Sequence, residues 1–158
     1  RGLMACLEMH FRSRTAGNAH LLIVDIDHFK RINDTHGHQM GDLVLGRVAQ
    51  VLQATARKGD LICRLGGEEF LVVALDIEPA GAFQLAERSR EAISHSEVPG
   101  LSAQGPIRCT VTIGVSESFS HPQALDAVLQ QADAALYRGK ASGRDRVESA
   151  FAPLPLPA

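Results

Sequence analysis

Four acidic residues in two short segments could carry chemistry in this 158-residue chain. Asp25 and Asp27 follow the apolar run 21–24, and Glu68 and Glu69 follow a pair of glycines. Carboxylate oxygens suit Mg²⁺, which accepts one or two carboxylates together with substrate phosphates. If the two segments lie side by side in a sheet, Asp25 and Glu68 can share such a cation. The alternative is that Asp25 and Asp27 only end a strand and are solvated, and the second acidic segment favours the cation site.

The second acidic segment lies in a predicted β-hairpin. Apolar runs flank Gly66 and Gly67, and glycine permits the positive φ angles that tight hairpin turns need. Because side chains alternate along a strand, Glu68 and Glu69 are expected to point to opposite faces, with Glu68 toward the site. Gly67 lacks a Cβ and would let a highly charged ligand approach the backbone. A purely structural hairpin would use two glycines equally well, but it would not need two acidic residues after them.

Composition and charge restrict the function classes. Apolar residues make up 45% and charged residues 22%, and the net charge is −2, which indicates one globular domain and gives no reason to expect nucleic acid or an anionic membrane as a partner. No apolar run approaches the roughly 20 residues of a membrane span and no signal peptide is evident, so we expect a cytoplasmic fragment without direct membrane contact. Because the first residue is Arg1, we expect further sequence upstream.

Cys6, Cys63 and Cys109 lie far apart in apolar stretches and are expected to be buried thiols.

Hydrophobic periodicity places the acidic segments among alternating helices and strands. We predict helices over residues 2–14, 29–36, 39–56, 80–94 and 122–138, and strands over 21–24, 60–65, 70–75, 107–115 and 146–148. This order, with one antiparallel hairpin and no repeat, predicts an α/β (α+β) sandwich with a mixed central β-sheet surrounded by helices. The domain is expected over residues 1–150, followed by a proline-rich disordered tail over 151–158.

Four motifs, in order and at compatible spacings, resemble the GGDEF family of diguanylate cyclases. They are Asp25-Ile-Asp-His-Phe-Lys-Arg-Ile-Asn33, His36-Gly-His with Gly41-Asp42, Arg64-Leu-Gly-Gly-Glu-Glu-Phe70, and Ala141-Ser-Gly-Arg144. The resemblance covers about residues 3–148. It implies a fold related to nucleotidyl cyclases and polymerase palm domains. It also implies bacterial signalling by condensation of two GTP into cyclic di-GMP and two pyrophosphates, in a homodimer that holds one GTP in each subunit.

The resemblance also implies roles for individual residues. Asp25, Glu68 and the backbone carbonyl of Ile26 would bind Mg²⁺ (or Mn²⁺) beside the triphosphate, and Glu68 would also act as the general base. The residues that would neutralise the phosphates are basic: Lys30, Lys140 and Arg144. Lys140 and Arg144 have an alternative explanation, because a cation near a helix C-terminus is favoured by the helix dipole.

Asn33 and Asp42 match the positions that read the guanine base in the family. A carboxylate can accept hydrogen bonds from guanine N1–H and the N2 amino group together, a donor pattern that adenine lacks on that edge. Asp42 could also be an acidic residue of a first helical turn, where the dipole favours it. His36 and His38 flank Gly37, which is more typical of a turn than of a metal site.

The segment Arg57-Lys-Gly-Asp60 fits the Arg-x-x-Asp product-inhibition site of the family at the family's distance from Gly66. Arg88 matches a second arginine of that site in some members. An arginine can stack on a guanine or donate to its Hoogsteen edge, and an aspartate can accept from its Watson–Crick edge. The resemblance therefore implies that cyclic di-GMP is an inhibitor as well as the product.

Two departures from the family pattern limit these expectations. His28 stands where an aromatic residue is more usual, and the turn that couples the first helix to an upstream domain in the family is absent from this chain. We therefore expect an upstream sensory or regulatory domain in the full-length protein. The alternative function is a catalytically weak domain that binds GTP or cyclic di-GMP as a receptor. Such proteins lose an acidic residue of the hairpin or of the strand end, whereas Asp25, Glu68 and Glu69 are all present here.

Overall fold

The computed structural model describes residues 2–13, 17–100 and 105–152. Within these ranges, no helix is both long enough and apolar enough to cross a bilayer. The helices and strands are, in chain order, α1 (Gly2–Arg12), β1 (Ala19–Ile26), α2 (Phe29–His36), α3 (His38–Thr55), β2 (Leu61–Gly66), β3 (Glu69–Leu75), α4 (Pro79–Ser94), β4 (Val111–Val115), α5 (Leu125–Ala141) and β5 (Val147–Ser149). The 3-10 turn Pro122–Ala124 leads into α5.

The strands form one five-stranded sheet in the order β2-β3-β1-β4-β5. β1 is antiparallel to both β3 and β4, β2 is antiparallel to β3, and β5 is parallel to β4. All eight residues of the central strand β1 are buried, as a continuous apolar run predicts for a strand that is covered on both faces. The predicted mixed sheet is confirmed.

Helices cover both faces of this sheet. Leu22, Val24 and Ile26 of β1 belong to the hydrophobic core that includes residues of α3 and α4. Leu21 and Ile23 belong to a second core, which includes residues of α1 and α5. Since side chains alternate along a strand, the odd-numbered acidic residues at the end of β1 lie on the face that α5 covers.

Helix α5 approaches β4 closely enough to exclude any side chain between them. A Cβ added to Gly114 of β4 would lie 2.1 Å from the carbonyl oxygen of Ala132 and 2.6 Å from the backbone nitrogen of Leu136. Both atoms belong to the backbone of α5. This contact fixes the height of α5 above the sheet and therefore the position of its C-terminal turn.

The expected burial of the cysteines is wrong for two of the three. Cys6 and Cys63 are exposed, and Cys109 is half-buried. Cys63 lies on the edge strand β2, most of which is exposed, and Cys6 lies on the outer side of α1. An apolar neighbourhood in sequence does not distinguish an edge strand from a central one.

Two boundaries also differ from the sequence expectation. Strand β4 begins at Val111, and Ile107 instead forms an isolated bridge with Val98. Phe151, expected to begin the tail, packs against the core with its ring centroid 5.8 Å from that of His20. The folded part therefore extends beyond residue 150. The rest of the expected tail, residues 153–158, lies outside the described residues.

Candidate functional site

The end of β1 brings the two acidic segments together. Asp25 pairs directly with Glu69 in the β1–β3 ladder, and the N–H of Ile26 donates to the carbonyl oxygen of Glu68 at 3.2 Å. Residues directly opposite one another in antiparallel strands project their side chains to the same face. Asp25 and Glu69 therefore lie side by side on the face covered by α5.

The hairpin turn explains why Glu69, and not Glu68, is opposite Asp25. The turn is formed by Gly67 and Glu68, and the two glycines adopt positive φ angles of 146° at Gly66 and 52° at Gly67. Strand β3 begins only at Glu69. Glu68 is half-buried in the turn, and the strand pairing places Glu69, not Glu68, directly opposite Asp25.

Repulsion and burial characterise this carboxylate pair. Burial raises the pKa of Glu69, and the hydrogen bond and negative charge of Asp25 raise it further, whereas the charge of Lys140 acts in the opposite direction. Lys140 donates from Nζ to Asp25 Oδ2 at 2.7 Å. Two neighbouring carboxylates favour a shared positive charge, and in this structure the Lys140 ammonium supplies it.

The donor set fits a divalent cation that is shared with a ligand. Within the described residues, no group of three or more His, Cys, Asp or Glu side chains is assembled to hold a metal alone. Asp25 and Glu69 offer two carboxylates, and the Ile26 carbonyl points toward the hairpin because the N–H and C=O of a strand residue point to the same side. Mg²⁺ suits this arrangement, since it retains several waters and takes further ligands from phosphates.

Asp27 is held by the protein and is not solvated. Its side chain accepts hydrogen bonds from Thr112 Oγ1 at 2.6 Å, from Thr110 Oγ1 at 2.7 Å and from the N–H of Asp145 at 3.1 Å. The residue is 5% exposed. The simple solvated strand end is therefore excluded for Asp27, whose bonds connect β1 to the segment before β4, to β4 itself and to the turn after α5.

The three basic candidates occupy different elements. Lys140 lies in the last turn of α5 and contacts Asp25. Arg144 follows in the turn after α5, where its N–H donates to the carbonyl of Gly139 at 3.0 Å. Lys30, on α2, is directed to solvent and bonds to Asp34 at 2.9 Å, and this bond raises the pKa of Lys30. Only Lys140 is therefore seen in contact with the acidic pair.

The chain turns sharply from β1 into α2 just beyond Asp25. His28 adopts the left-handed region with φ 55° and precedes the helix. The N–H of Ile32 donates to the carbonyl of His28 at 3.2 Å. The N–H groups of Phe29 and Lys30 come before this first bond of the helix and have no acceptor within it. Free N–H groups at a helix N-terminus are suited to bind phosphate oxygens, and these lie next to the acidic strand end in the sequence.

A cleft of about 590 Å³ lies between α3 and the hairpin strands. Its lining includes Asp42 and Leu45 of α3, Ile62 and Arg64 of β2, and Phe70 of β3. This volume is within the range of small-molecule sites, which are mostly apolar with a few polar groups. The apolar side chains offer a surface for a flat ring, and Asp42 offers a hydrogen-bond acceptor.

Asn33 lies where α2 meets α3, beside this acceptor. A Cβ on Gly41 would lie only 1.8 Å from Asn33 Oδ1, so a side chain at position 41 would displace the Asn33 amide. Asn33 Oδ1 is buried and has no hydrogen-bond partner among the described residues. Leaving such an acceptor unpaired costs about 1–3 kcal/mol. The structure thus brings together the two residues whose motif matches guanine recognition and leaves one of them with an unused acceptor.

Arg64 closes the hairpin turn. Its guanidinium donates to the carbonyl oxygen of Gly67 through Nε at 3.1 Å and Nη2 at 2.7 Å. Gly67 therefore contributes its carbonyl to the turn, and an added Cβ there would meet no atom within 4 Å. The space beside Gly67 is open to a ligand.

In the expected product site, Arg57 and Asp60 are bonded to each other, and Arg88 bonds to the end of α3 that precedes them. Asp60 accepts from the N–H of Arg57 at 2.9 Å, from Arg57 Nη2 at 3.2 Å and from the N–H of Leu75 at 3.1 Å. The same guanidinium donates to the carbonyl of Leu75. Arg88, on α4, donates to the carbonyl of Thr55 at 3.1 Å. Since the Asp60 side chain is 1% exposed and that of Arg57 is 42% exposed, only the arginines present their side chains to solvent.

Comparisons with known proteins agree with this geometry. The sequence model of the family described as "Diguanylate cyclase, GGDEF domain" matches residues 6–146. The chain is 43% identical over 126 residues to the response regulator PleD of Caulobacter vibrioides, covering 80% of this chain and 28% of that protein. It is 43% identical over 143 residues to the diguanylate cyclase DgcP of Pseudomonas aeruginosa, covering 90% and 21% respectively.

A solved structure shows the same fold. The GGDEF domain of DgcB from Caulobacter crescentus, in complex with c-di-GMP, superposes with a TM-score of 0.80 at 33% identity, covering 92% of this chain and 84% of that one. The chain thus spans about a quarter of the length of the two curated relatives and most of the isolated domain.

Proposed function

Since the chain belongs to the GGDEF family of diguanylate cyclases, we propose that it condenses two GTP molecules into cyclic di-GMP and two pyrophosphates in the presence of Mg²⁺ or Mn²⁺. The observation that carries this proposal is the side-by-side placement of Asp25 and Glu69, with Lys140 at 2.7 Å from Asp25. A repulsive carboxylate pair made of the buried Asp25 and the half-buried Glu69 has little structural value by itself. It suits a cation and the phosphates of a nucleotide.

Asp25, Glu69 and the Ile26 carbonyl would hold the cation. When bound, the cation polarises the α-phosphate and lowers the pKa of the attacking 3′-hydroxyl. Glu68, in the turn beside them, accepts the proton of that hydroxyl. The 3′-oxygen then forms a bond to the α-phosphorus of the second GTP, and the bond from that phosphorus to the pyrophosphate oxygen breaks. A second, equivalent step closes the ring and releases the second pyrophosphate.

Basic residues neutralise the triphosphate. Lys140 is paired with Asp25 in this structure, and it is free to contact a phosphate oxygen once a cation takes its place. Lys30 and Arg144 add charge from α2 and from the turn after α5, and the open space beside Gly67 admits the phosphates. This local charge is needed because the chain as a whole is slightly acidic.

Asn33 and Asp42 select guanine. Asp42 accepts from N1–H and the amino group of the base, and the buried Oδ1 of Asn33 gains the donor that it lacks. The cleft lined by Leu45 and Phe70 receives the flat face of the ring. Adenine offers no matching pair of donors on that edge.

Two copies of the domain are needed, because each holds one GTP and the reaction joins two. The upstream part of the protein would bring the copies together and carry the regulatory input. Cyclic di-GMP inhibits by binding to Arg57 and Arg88, whereas the buried Asp60 orients Arg57 and does not contact the ligand.

Incubation of the full-length protein with GTP and Mg²⁺, followed by mass analysis of the nucleotides, tests the proposal. Cyclic di-GMP is the expected product, and chelation of the metal should stop its formation. Unchanged GTP together with tight binding of cyclic di-GMP would indicate the receptor alternative. Unchanged GTP with no binding of either nucleotide would end both.

A further inference from the structure

The turn after α5 has a backbone that needs support. Gly143, Arg144 and Asp145 have positive φ angles of 115°, 65° and 46° in succession. Only glycine adopts this region without a steric penalty from its side chain. Two consecutive residues with a Cβ therefore persist in it only if the surrounding structure holds them.

Two ties hold this turn at Asp145. The N–H of Asp145 donates to Asp27 Oδ2 at 3.1 Å, and Asp145 Oδ1 accepts from Arg90 Nη1 at 2.9 Å. Asp27 directly follows β1 and is held by Thr110 and Thr112. The turn is thus connected from its backbone to the central strand and from its side chain to α4.

Arg90 is itself well ordered by its neighbours. Its guanidinium also contacts Glu87 at 3.1 Å, and its side chain is only 17% exposed. A partly buried arginine held by several carboxylates is a rigid support, because its planar donors match carboxylate geometry. Asp145 is therefore held by two groups, Asp27 and Arg90, which are themselves fixed by other hydrogen bonds. We call these two bonds to Asp145 the clamp.

We propose that Asp27 and Arg90 are positioning residues that hold Arg144 at the triphosphate of the bound nucleotide. This inference rests on the proposed function, in which Arg144 adds positive charge at the triphosphate. Arg144 lies between two fixed points, the bond from its own N–H to the Gly139 carbonyl at 3.0 Å and the clamped Asp145. Loss of the clamp would let the left-handed turn relax and move the guanidinium away from the phosphates.

The effect should be confined to phosphate recognition. Asn33 and Asp42, which would bind the base, lie on α2 and α3, and in the described part of the chain neither bonds to Asp27, Arg90 or Asp145. Affinity for a triphosphate should therefore fall when the clamp is removed, and affinity for a guanine nucleotide with one phosphate should not.

Calorimetric titration of the full-length protein with 3′-deoxy-GTP and with GMP, both with Mg²⁺, tests this split, since 3′-deoxy-GTP lacks the attacking hydroxyl. Asp27→Ala should weaken 3′-deoxy-GTP binding about tenfold or more and change GMP binding by less than about twofold. The control Asp126→Ala, at an exposed carboxylate in the first turn of α5, should change neither. Equal losses for both nucleotides, or no loss for 3′-deoxy-GTP, would overturn the inference.

The conservative variant Asp27→Asn should restore binding. Its amide oxygen can accept from the N–H of Asp145 and from Thr110, while its amide nitrogen donates to the hydroxyl oxygen of Thr112. Asp27→Asn that binds 3′-deoxy-GTP as weakly as Asp27→Ala would show that the turn is not the cause.

A double-mutant cycle tests the link to Arg144. In the Arg144→Ala background, Asp27→Ala should cause no further loss of 3′-deoxy-GTP affinity, because the residue that it positions is gone. Fully additive losses would overturn the inference, as would Arg144→Ala binding 3′-deoxy-GTP like the wild type.

If Asp27→Ala does not fold, as judged by its thermal transition, Arg90→Gln carries the test. It removes the other tie on Asp145 without touching the sheet, and Arg12→Gln on α1 is the matched control. A severalfold loss for 3′-deoxy-GTP alone supports the inference, and unchanged affinity overturns it. A wild-type protein that makes no cyclic di-GMP but shows these selective losses would end the proposed function and leave the inference standing.

Discussion

Asp25, Glu69 and Lys140 form a charged group in which a hydrogen bond and a raised pKa link the three side chains. Lys140 Nζ lies 2.7 Å from Asp25 Oδ2, and Asp25 adds to the effect of burial in raising the pKa of Glu69. A cation placed between the carboxylates would lower that pKa and release Lys140. Cation binding and phosphate binding are then favourable together.

Exchange of each hairpin glutamate should separate their roles. Glu69→Gln should raise the Mg²⁺ concentration for half-maximal rate by about 10- to 100-fold, the scale for losing a group that sets a metal site. Glu68→Gln should lower kcat by about 100-fold or more at saturating Mg²⁺, as expected for a general base. Steady-state rates across a Mg²⁺ titration measure both. The opposite assignment would follow if Glu68→Gln changed the Mg²⁺ requirement and Glu69→Gln did not.

The acidic residues could be identified from sequence, but their pairing could not. Residue type and the two glycines were enough to predict a hairpin beside a strand-end aspartate. Which glutamate meets Asp25 depends on the register, and the ladder is irregular between Arg64 and Gly66. A shift of one residue reverses the face of every side chain, so the turn geometry had to be seen.

A buried histidine outside the site gives the fold a pH dependence. His20 is 0% exposed, and its Nδ1 lies 2.9 Å from the carbonyl oxygen of Ser116. Burial lowers the pKa of His20, while the Ser116 carbonyl and the charges of Glu117 and Glu78 oppose the shift. The unfolded chain then binds a proton at a higher pH than the folded chain, so the free energy of unfolding should fall as the pH falls below about 6.5.

Urea denaturation at pH 7.5 and pH 5.5 checks this expectation. His20→Gln should lose less stability between the two pH values than the wild type, because it has removed the buried group that resists protonation. His38→Gln, at an exposed histidine, is the matched control and should behave as the wild type. An equal loss in His20→Gln would assign the pH dependence to other groups.

Among the elements, α5 and β4 determine where the basic end of the site lies. The backbone of α5 rests directly on Gly114, and the last turn of the same helix carries Lys140 to Asp25. The turn that follows is fixed by Asp27. The acidic and basic halves of the site are therefore aligned by one helix–strand contact.

Gly114→Ala should destabilise the fold strongly. The added Cβ would lie 2.1 Å from the carbonyl oxygen of Ala132, a backbone atom that cannot rotate away, and the free energy of unfolding should fall by about 3 kcal/mol or more. Gly46→Ala is the matched control, because nothing lies within 4 Å of its added Cβ and alanine favours a helix by about 0.5–1 kcal/mol. Urea denaturation followed by circular dichroism compares them. Equal stability of the two variants would contradict the close contact.

Local signals predicted most helices and strands to within about two residues at each end. The bounds of α2 were predicted correctly, since Gly37 ends it with φ 89°. Strand β4 was predicted from Ile107, because alternating apolar residues cannot show that Ile107 bonds to Val98 instead. The helix predicted over residues 122–138 begins as the 3-10 turn Pro122–Ala124, and α5 itself runs from Leu125 to Ala141. Such differences arise from contacts between distant segments.

At the scale of the whole molecule, the proposed reaction joins two nucleotides that are held by two copies of the domain. The two curated relatives are about four times as long as the matched region. The mixed sheet followed from the order of helices and strands, but its strand order required the structure. Arg57 and Arg88 lie on the surface, where they could hold a second copy through a bound product.

Arg57→Ala should relieve product inhibition. Loss of a charged hydrogen-bonding partner should raise the inhibition constant for cyclic di-GMP by about tenfold or more, while initial rates at low product stay within about twofold of the wild type, because no group of the acidic pair is changed. Lys58→Ala, at the neighbouring exposed cation, is the control and should leave inhibition intact. Calorimetry beside initial-rate assays measures both effects. If cyclic di-GMP binds Arg57→Ala as tightly as the wild type, the role of Arg57 is only structural, through its bonds with Asp60 and Leu75.

The most direct test of the central claim is the stoichiometry of the reaction catalysed by the full-length protein with GTP and Mg²⁺. The wild type should release two pyrophosphates for each cyclic di-GMP formed. Asp25→Asn should reduce that rate to about 1% or less, since the cation contributes several kcal/mol to the reaction, while its thermal transition stays close to that of the wild type. Release of inorganic phosphate in place of pyrophosphate, or an Asp25→Asn protein that is as active as the wild type, would contradict the account.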